Sequence, residues 1–205
     1  MPDVAPYFIR SDGDYVFARW GRPIVPVVFG VDDATLSVFK GAIEAVVTLA
    51  GHEMGEVDTE FGANLMVFFC RDWAELTQVP HLDRLVPDLA PLVARLEQAD
   101  ANQYRVFRFD DRGGIKAAFV FLRMDDHLSQ VPADTLALSQ AAQVILLWSD
   151  LAFAATPPLA LINGQAMLRP EVAGIIRAAY DPVMPPAARD ASHALRLAAR
   201  VKRPV

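Results

Sequence analysis

The feature that most constrains the fold of this chain is an uninterrupted apolar run at residues 64–70, NLMVFFC. Gly62 and the pair Arg71-Asp72 bound the run, which leaves it the length of one β-strand. A strand with one face in water alternates apolar and polar residues, and this run does not alternate. It therefore predicts a central strand that is covered by protein on both faces.

Shorter patterns predict the elements around this strand. Apolar spacing from the Asp32-Asp33 pair to Gly51 indicates an amphipathic helix with a side-chain cap at its start and a glycine cap at its end. Two β-prone runs around the DRGG at residues 111–114 indicate a hairpin. The other predicted elements are two strands or one bent strand at 15–20 and 24–29, short helical pieces within 73–100 of which 91–96 is the most regular, helices at 134–148, 170–179 and 187–201, and a proline-interrupted loop that ends at Gly164.

This order of elements predicts an α+β fold, in which a mixed, twisted sheet packs against helices as one pair of layers. Residues 1–205 are expected to form a single domain, because no linker, repeat or low-complexity tract divides them. Residues 1–130 would supply most of the sheet and the first long helix, and residues 131–205 a helical part with a basic C-terminal helix. A chain of 205 residues, 53% of them hydrophobic, can bury one sizeable core.

Composition excludes several classes of partner and site. With 25 acidic against 19 basic residues and a net charge of −6, the chain lacks the clustered positive charge of a nucleic-acid-binding protein. Cys70 is the only cysteine, so neither an intramolecular disulfide nor a thiolate zinc cage can form. The uncharged run at 135–149 is shorter than the roughly 20 residues of a transmembrane helix, so we expect a soluble protein without a transmembrane segment.

The start of the chain bears on its location in the cell. Its first residues, MPDVAPYFIRSDGDYVF, lack the basic start and the apolar stretch of a secretory signal. A cytoplasmic protein is therefore expected if Met1 is the native start. The alternative is the mature domain of an exported protein, from which the leader has been removed.

The helix predicted before the proline-interrupted loop carries a strip of three neutral polar residues, Ser139, Gln140 and Gln143. On a helical wheel they fall within an arc of roughly 100°, opposite a broad apolar face. That face consists of Ala137, Leu138, Ala141, Ala142, Val144, Ile145 and Trp148. Leu136 and Leu147 flank the strip, so we expect it to be partly buried and its polar atoms to have hydrogen-bond partners.

The order of elements before Asp134, the helix sequence SQAAQVILL and the later IIRAAYDPVMPP together resemble a bacterial family, the domain of unknown function 2927. In that family the helix reads like EELTQALGL, and the tail reads like Leu-Tyr-Asp-Pro-Arg-Met followed by Pro-Gly. The helix in turn resembles the metal-binding helix of zincin proteases, whose His-Glu-x-x-His box supplies two zinc ligands and a glutamate base. The resemblance spans most of the chain and implies a zincin-like fold.

Carried onto this sequence, the two zinc-binding histidines fall on Ser139 and Gln143 and the glutamate falls on Gln140. In the longer metzincin pattern, the glycine and the third histidine fall on Leu146 and Ser149. Neutral amides and a hydroxyl are poor zinc ligands, and an amide cannot accept a proton from water. The resemblance therefore implies a zincin-like framework without a metal and without a catalytic base.

The Tyr180-Asp181-Pro182 segment predicts a rigid turn at a helix end, and Val183 follows where family 2927 has an arginine. Zincins place a methionine turn beneath their metal, and the resemblance puts Met184 under the polar strip. A vestigial cleft would then be lined by Ser139, Gln140, Gln143, Tyr180, Asp181 and Met184. Two interpretations without a ligand stay open, which are a polar edge on an ordinary core helix and a purely structural turn.

The C-terminal segment is predicted to be a basic amphipathic helix. Residues 187–205 contain five bases against Asp190, a net charge of +4, which leaves −10 on the rest of the chain. Helical spacing places Arg189, His193, Arg196 and Arg200 on one face. This face is expected either to dock on an acidic surface, of the protein itself or of a partner, or to remain solvated.

These observations favour a non-catalytic zincin-like domain that binds a protein or a peptide, with no metal and no cofactor. One alternative is a metal-independent hydrolase that recruits Ser139, His127 or Cys70 into its site. Another is a peripheral protein that docks through its basic C-terminal helix.

Overall fold

The structure, a computed structural model, describes residues 2–56 and 62–201 of the chain. Its strands are β1 (Phe17–Ala18), β2 (Pro26–Phe29), β3 (Leu65–Cys70), β4 (Gln103–Phe109), β5 (Ile115–Arg123), β6 (Leu159–Ile162), β7 (Gln165–Leu168) and β8 (Ala187–Ala188). Its α-helices are α1 (Asp33–Ala50), α2 (Leu82–Leu85), α3 (Leu89–Gln98), α4 (Ala133–Val144), α5 (Pro170–Ala179) and α6 (Ser192–Ala198). Short 3-10 helices cover Ala5–Tyr7, Trp73–Gln78 and Leu128–Gln130.

A four-stranded mixed sheet in the order β2-β3-β5-β4 forms the centre of the described structure. β3 is parallel to both of its neighbours, whereas β4 runs antiparallel to β5 and lies at the edge. The prediction of a central strand at 64–70 is confirmed, and so is the hairpin around residues 111–114. The predicted α+β class with a mixed sheet is confirmed as well.

Helices cover both faces of this sheet. On one face, Leu65 and Val67 of β3 pack with α1, α4 and α5 in a large apolar cluster. On the other face, Phe68 of β3 and Phe121 of β5 pack with the helices between residues 73 and 98. The expectation of one pair of layers is therefore wrong, because the alternating side chains of β3 and β5 are apolar on both sides and each side needs its own cover.

Helix α1 begins and ends where the sequence predicts. The Asp32 carboxylate accepts a hydrogen bond from Thr35 N (2.7 Å), which caps the first turn. Gly51 follows the last turn with a φ of 67°, a left-handed conformation that glycine adopts without strain. The short helical pieces predicted within 73–100 are confirmed, with 91–96 inside α3.

Helix α4 ends at Val144, four residues before the predicted end at Trp148. Side-chain donors from elsewhere satisfy the carbonyls at this end. Trp20 Nε1 donates to Val144 O (2.8 Å), and Tyr180 Oη donates to Ile145 O (2.8 Å). Trp148 Nε1 turns back to Ala142 O (2.8 Å). The helix can therefore stop at Val144 while these three carbonyls keep hydrogen-bond partners.

The prediction of a loop that continues to Gly164 is wrong, because residues 159–168 form an antiparallel hairpin of β6 and β7. Asn163 (φ 52°) and Gly164 (φ 81°) make its two-residue turn, and positive φ at both positions is typical of type I′.

The prediction for α5 is confirmed at both ends. The C-terminal helix is shorter than predicted, because β8 pairs with β1 before α6 begins. No helix among the described residues is long and apolar enough to cross a membrane.

Candidate functional site

A cleft of about 720 Å³ lies alongside β4. The strand forms one wall along its whole length, and the segment that follows α4 forms the other. Its polar and charged lining comes from Arg10, Gln103, Arg105, Gln143, Ser149 and Asp150, and its aromatic lining from Tyr104, Phe107, Phe109, Trp148 and Phe153. A groove lined by aromatic groups together with a few polar groups is typical of a ligand-binding site.

The backbone of β4 faces this cleft with hydrogen-bonding groups. Arg123 N–H donates to Asn102 O (2.9 Å), so Asn102 and Arg123 form a hydrogen-bonded pair of the β4–β5 ladder, as do the pairs at every second residue along β4. Because bonded and non-bonded pairs alternate along an antiparallel ladder, Gln103, Arg105 and Phe107 point their N–H and C=O groups away from β5. Among the described residues, no other strand pairs with this edge.

Arg105 lies in the middle of β4, and two glutamines hold its guanidinium. Arg105 Nη2 donates to Gln140 Oε1 (2.6 Å) and to Gln103 Oε1 (3.2 Å). Gln140 Nε2 donates to the same Gln103 Oε1 (2.8 Å), which closes the network between β4 and α4. Gln140, one of the three strip residues, is buried, and its side chain holds the guanidinium of Arg105 in place. The prediction that the polar atoms of the strip have hydrogen-bond partners is confirmed for this residue.

The guanidinium of Arg105 has no carboxylate partner among the described residues. Its acceptors are neutral amides, and its buried Nε has no hydrogen-bond partner within residues 2–56 and 62–201. Burial lowers the pKa of Arg105 to about 10, which still leaves the group charged near neutral pH. A partly buried, unpaired cation at the wall of a cleft is an uncompensated charge, and it favours an anionic group in the adjacent space.

An aromatic cluster forms the wall opposite β4. The Trp148 ring stacks on Phe8 with centroids 5.5 Å apart, and the edge of Phe153 meets it at 5.1 Å. Tyr7 contacts both Trp148 and Phe153. Ser149 Oγ donates to Ile9 O (2.6 Å) and holds this segment against the N-terminal part of the chain. The rings are therefore packed against one another, and Trp148, although only 8% exposed, lines the cleft together with Phe153.

The polar strip of α4 is divided between two cavities. Gln143 Nε2 donates to Ser139 Oγ (3.0 Å), and Gln143 lines the cleft beside β4. Ser139 and Gln140 line a second, more apolar cavity of about 370 Å³, between α4 and the hairpin of β6 and β7. Gln103 borders both cavities. The bridge from Gln103 to Gln140 thus forms part of the partition between them.

Three residues expected beside the polar strip lie elsewhere. Tyr180 is buried where its hydroxyl donates to the end of α4, and with Asp181 it lines a different cavity of about 630 Å³. Met184 is buried, and its carbonyl accepts a hydrogen bond from Arg19 Nη2 (3.1 Å). Met184 lines neither of the cavities that contain Ser139 and Gln143. The six residues assigned to one vestigial cleft therefore do not line a common cavity.

The prediction that Arg189, His193, Arg196 and Arg200 form one continuous face of the C-terminal helix is wrong. His193 is buried, and its Nδ1 lies 2.7 Å from the Tyr15 hydroxyl. Arg189 precedes α6, while Arg200 Nε lies 3.3 Å from Asp181 Oδ2 within the same chain. Arg196 Nη2 donates to the backbone of the neighbouring turn. His193 therefore belongs to the buried face of α6, together with Ala194, Leu197 and Ala198.

Of the three residues proposed for a metal-independent hydrolase, Cys70 lies apart from Ser139 and His127. Cys70 is buried on the far side of the sheet from α4, and burial raises the pKa of its thiol to about 12. A thiol with such a pKa is not ionised near neutral pH and is a poor nucleophile. Ser139 and His127 do line the same 370 Å³ cavity. Among the described residues, no group of His, Cys, Asp and Glu is arranged to hold a metal ion.

Comparison with family models, with curated proteins and with solved structures found no match for this chain. The residues that sequence reasoning missed are Arg105, Gln103 and Arg10, together with the aromatic wall. One signal for Arg105 was available. In the strand QYRVFRF the two arginines fall on opposite faces, and a strand that puts charge on both faces favours an edge position.

Proposed function

We propose that this protein is a non-catalytic binding domain with a degenerate zincin-like framework, which takes an extended peptide segment into the cleft beside β4. The single observation that carries the proposal is the unpaired edge of β4 along a cleft of about 720 Å³. An exposed strand edge is a template for another strand, and peptide-binding proteins use it to add a ligand to their own sheet.

The groups around the cleft suit a peptide backbone. Gln103, Arg105 and Phe107 each present an outward N–H and C=O along one edge. Among the described residues, Phe107 O has only a long hydrogen bond, at 3.5 Å from Arg108 Nη1. The aromatic wall around Trp148 would bury apolar side chains of the added strand, since alternate side chains of a strand point to opposite sides.

The non-catalytic part of the proposal is argued from the chemistry of three side chains on α4. Ser139, Gln140 and Gln143 occupy the positions of the zincin box in the resemblance to family 2927. All three are engaged in hydrogen bonds within the protein, with one another or with β4. None of the three can act as a base near neutral pH, and neutral amides are poor zinc ligands. We therefore expect peptide binding without cleavage.

Metal content tests the non-catalytic part of the proposal. Purified protein incubated with zinc and then passed over a desalting column should retain no stoichiometric metal, as measured by mass spectrometry of the metal. The double variant Ser139→His with Gln143→His is a positive control, because it restores two ligands one helical turn apart. Tight stoichiometric zinc on the wild-type chain would overturn the proposal.

Peptide binding tests the edge of β4 directly. The probe is an array of acetylated and amidated peptides, with a β-prone Val/Thr sequence that carries each natural amino acid in turn at its centre. The matched pair of variants is Phe107→Ala and Phe107→Pro. Both lose the aromatic ring, but only proline also removes the outward N–H. We expect peptides to bind Phe107→Ala about threefold to tenfold more tightly than Phe107→Pro, the effect of one hydrogen bond. If wild-type protein binds no peptide better than Phe107→Pro does, edge binding is wrong.

A second candidate function has one observation in its favour. Ser139 and His127 border the same 370 Å³ cavity, which could admit a small apolar ester. The two side chains are not hydrogen-bonded to each other among the described residues, where Ser139 Oγ accepts a hydrogen bond from Gln143 Nε2. A panel of ester and peptide substrates, tested on the wild type and on Ser139→Ala, distinguishes this function. Turnover that disappears in Ser139→Ala would support a hydrolase.

A further inference from the structure

We infer that the cleft beside β4 is selective for acidic peptides, and that Arg105 recognises the side-chain carboxylate of an Asp or Glu in the bound segment. This inference rests on the proposed function and names its ligand class. Arg105 lies at the third of the seven positions of β4. A strand laid along the edge would pass Arg105 with its interior residues, so the carboxylate comes from a side chain and not from a chain end.

The charges that line the cleft favour an anion. Two arginines, Arg10 and Arg105, and one carboxylate, Asp150, line it, which gives a local charge of +1 in a chain of net charge −6. The Asp150 carboxylate is already engaged, because it accepts a hydrogen bond from Ser11 N (3.1 Å). Neither arginine forms an ion pair within the described residues. The cleft is therefore a positive site on an acidic protein.

The guanidinium of Arg105 is fixed but not satisfied. Gln103 and Gln140 take both hydrogen bonds from Nη2 and hold the planar group in one orientation. Nη1 donates to no acceptor among the described residues, and, unlike Nε, it is not fully buried. A carboxylate oxygen at Nη1 would supply the missing negative charge. Charge-assisted hydrogen bonds of this kind are about twice as strong as neutral ones.

The test compares peptides that differ only in the central charge. Acetylated and amidated Val/Thr peptides with Glu or Gln at the centre are titrated against the wild type, Arg105→Gln and Arg84→Gln. Arg84→Gln makes the same change in net charge, on α2 at the opposite face of the sheet. We expect the wild type and Arg84→Gln to bind the Glu peptide about tenfold more tightly than the Gln peptide, and Arg105→Gln to show no preference.

Each other outcome identifies the part that fails. If the wild type binds both peptides equally, the carboxylate inference is wrong, while peptide binding stands. If a preference appears only for peptides with a free C-terminus, the side-chain source is wrong. If no peptide binds, the proposed function fails, and a carboxylate site at Arg105 is then decided by titration of the protein with acetate.

A measurement on the wild type alone covers the case in which Arg105→Gln does not fold. The guanidinium N–H signals of Arg105 are followed by NMR during a titration with sodium acetate, against sodium chloride at equal ionic strength. A saturable shift with acetate and not with chloride supports a carboxylate site at Arg105, even if the peptide array finds no ligand. Equal responses to the two salts would overturn the inference.

Discussion

Single buried polar groups set several local features of this protein. Tyr180 and His193 are both buried, and each holds a hydrogen bond between parts of the chain that are far apart in sequence. The sequence indicates a turn at Tyr180 and a basic helix face, docked or solvated, at His193, but their partners, Ile145 O and the Tyr15 hydroxyl, come from distant segments. Such partners are not readable from local spacing, and for this reason the C-terminal face was predicted incorrectly.

Replacing Tyr180 with Phe should destabilise the protein. The hydroxyl donates to Ile145 O (2.8 Å) and accepts from Trp20 N (3.3 Å), and its removal leaves two buried backbone groups without this partner. We expect a loss of about 2 kcal/mol in the free energy of unfolding, measured by urea denaturation. The control is Tyr104→Phe, whose hydroxyl is partly exposed and accepts from Arg95 at 3.3 Å, and which should change stability little. Equal effects of the two substitutions would contradict the role of the Tyr180 hydroxyl.

Acid should destabilise the protein through His193. Burial, with a smaller effect of Arg196, lowers the pKa of His193 to about 4 from an ordinary value of 6.5. Between these values the unfolded chain binds a proton that the folded chain does not, so stability falls as pH drops from 6.5 to 4. We expect a loss of about 2–3 kcal/mol across this window.

Denaturant titrations over this pH window measure the effect. The variant His193→Gln should lose less stability than the wild type between neutral pH and pH 4. Some slope should remain, because burial also lowers the pKa of His52. If the two proteins lose stability in parallel, His193 is not the group responsible.

At the scale of elements, strong local patterns predicted the structure well. The cap at Asp32, the glycine at Gly51 and the apolar run at 64–70 each define an element without help from the rest of the chain. The early end of α4 and the pairing of β8 with β1 depend on tertiary partners instead. The hairpin of β6 and β7 was missed although its Asn163-Gly164 turn is a local signal, because two nearby prolines favoured a loop.

The same substitution should have opposite effects in two elements. Gly41 lies inside α1, where an added methyl meets no atom within 4 Å. Gly41→Ala should therefore raise stability by about 0.5–1 kcal/mol through helix propensity. Gly164 has a φ of 81° in the hairpin turn, where Ala is strained, and Gly164→Ala should lower stability by about 1 kcal/mol. Thermal denaturation gives both signs, and a destabilised Gly41→Ala variant would contradict the assignment of α1.

At the scale of the whole molecule, the central sheet joins two apolar clusters that lie on its opposite faces. Adjacent residues of β3 belong to different clusters, as Val67 and Phe68 do. The sequence predicts cover on both faces of β3, but it does not reveal which helices lie on which face. The candidate cleft was less predictable still, because its walls come from β4, the segment after α4 and the N-terminal residues.

Because one sheet serves both clusters, we expect the protein to unfold in a single transition, as a single domain does. Ile43→Ala on α1 and Leu76→Ala beyond the other face each empty a buried site. Each should lower the free energy of unfolding by about 2–4 kcal/mol. Tryptophan fluorescence and far-UV circular dichroism should report the same midpoint for each variant. Separate transitions by the two probes would indicate two independent units.

The charge of Arg105 on β4 also bears on the self-association of the protein through this edge strand. Two β4 edges brought together antiparallel and centred on Arg105 would set the two Arg105 side chains opposite each other on the same face of the pair. Like charges opposed across strands repel, so the exposed edge resists homotypic aggregation. The cation that we propose as the selector of a foreign acidic strand would thus also disfavour the pairing of two copies of the protein through β4.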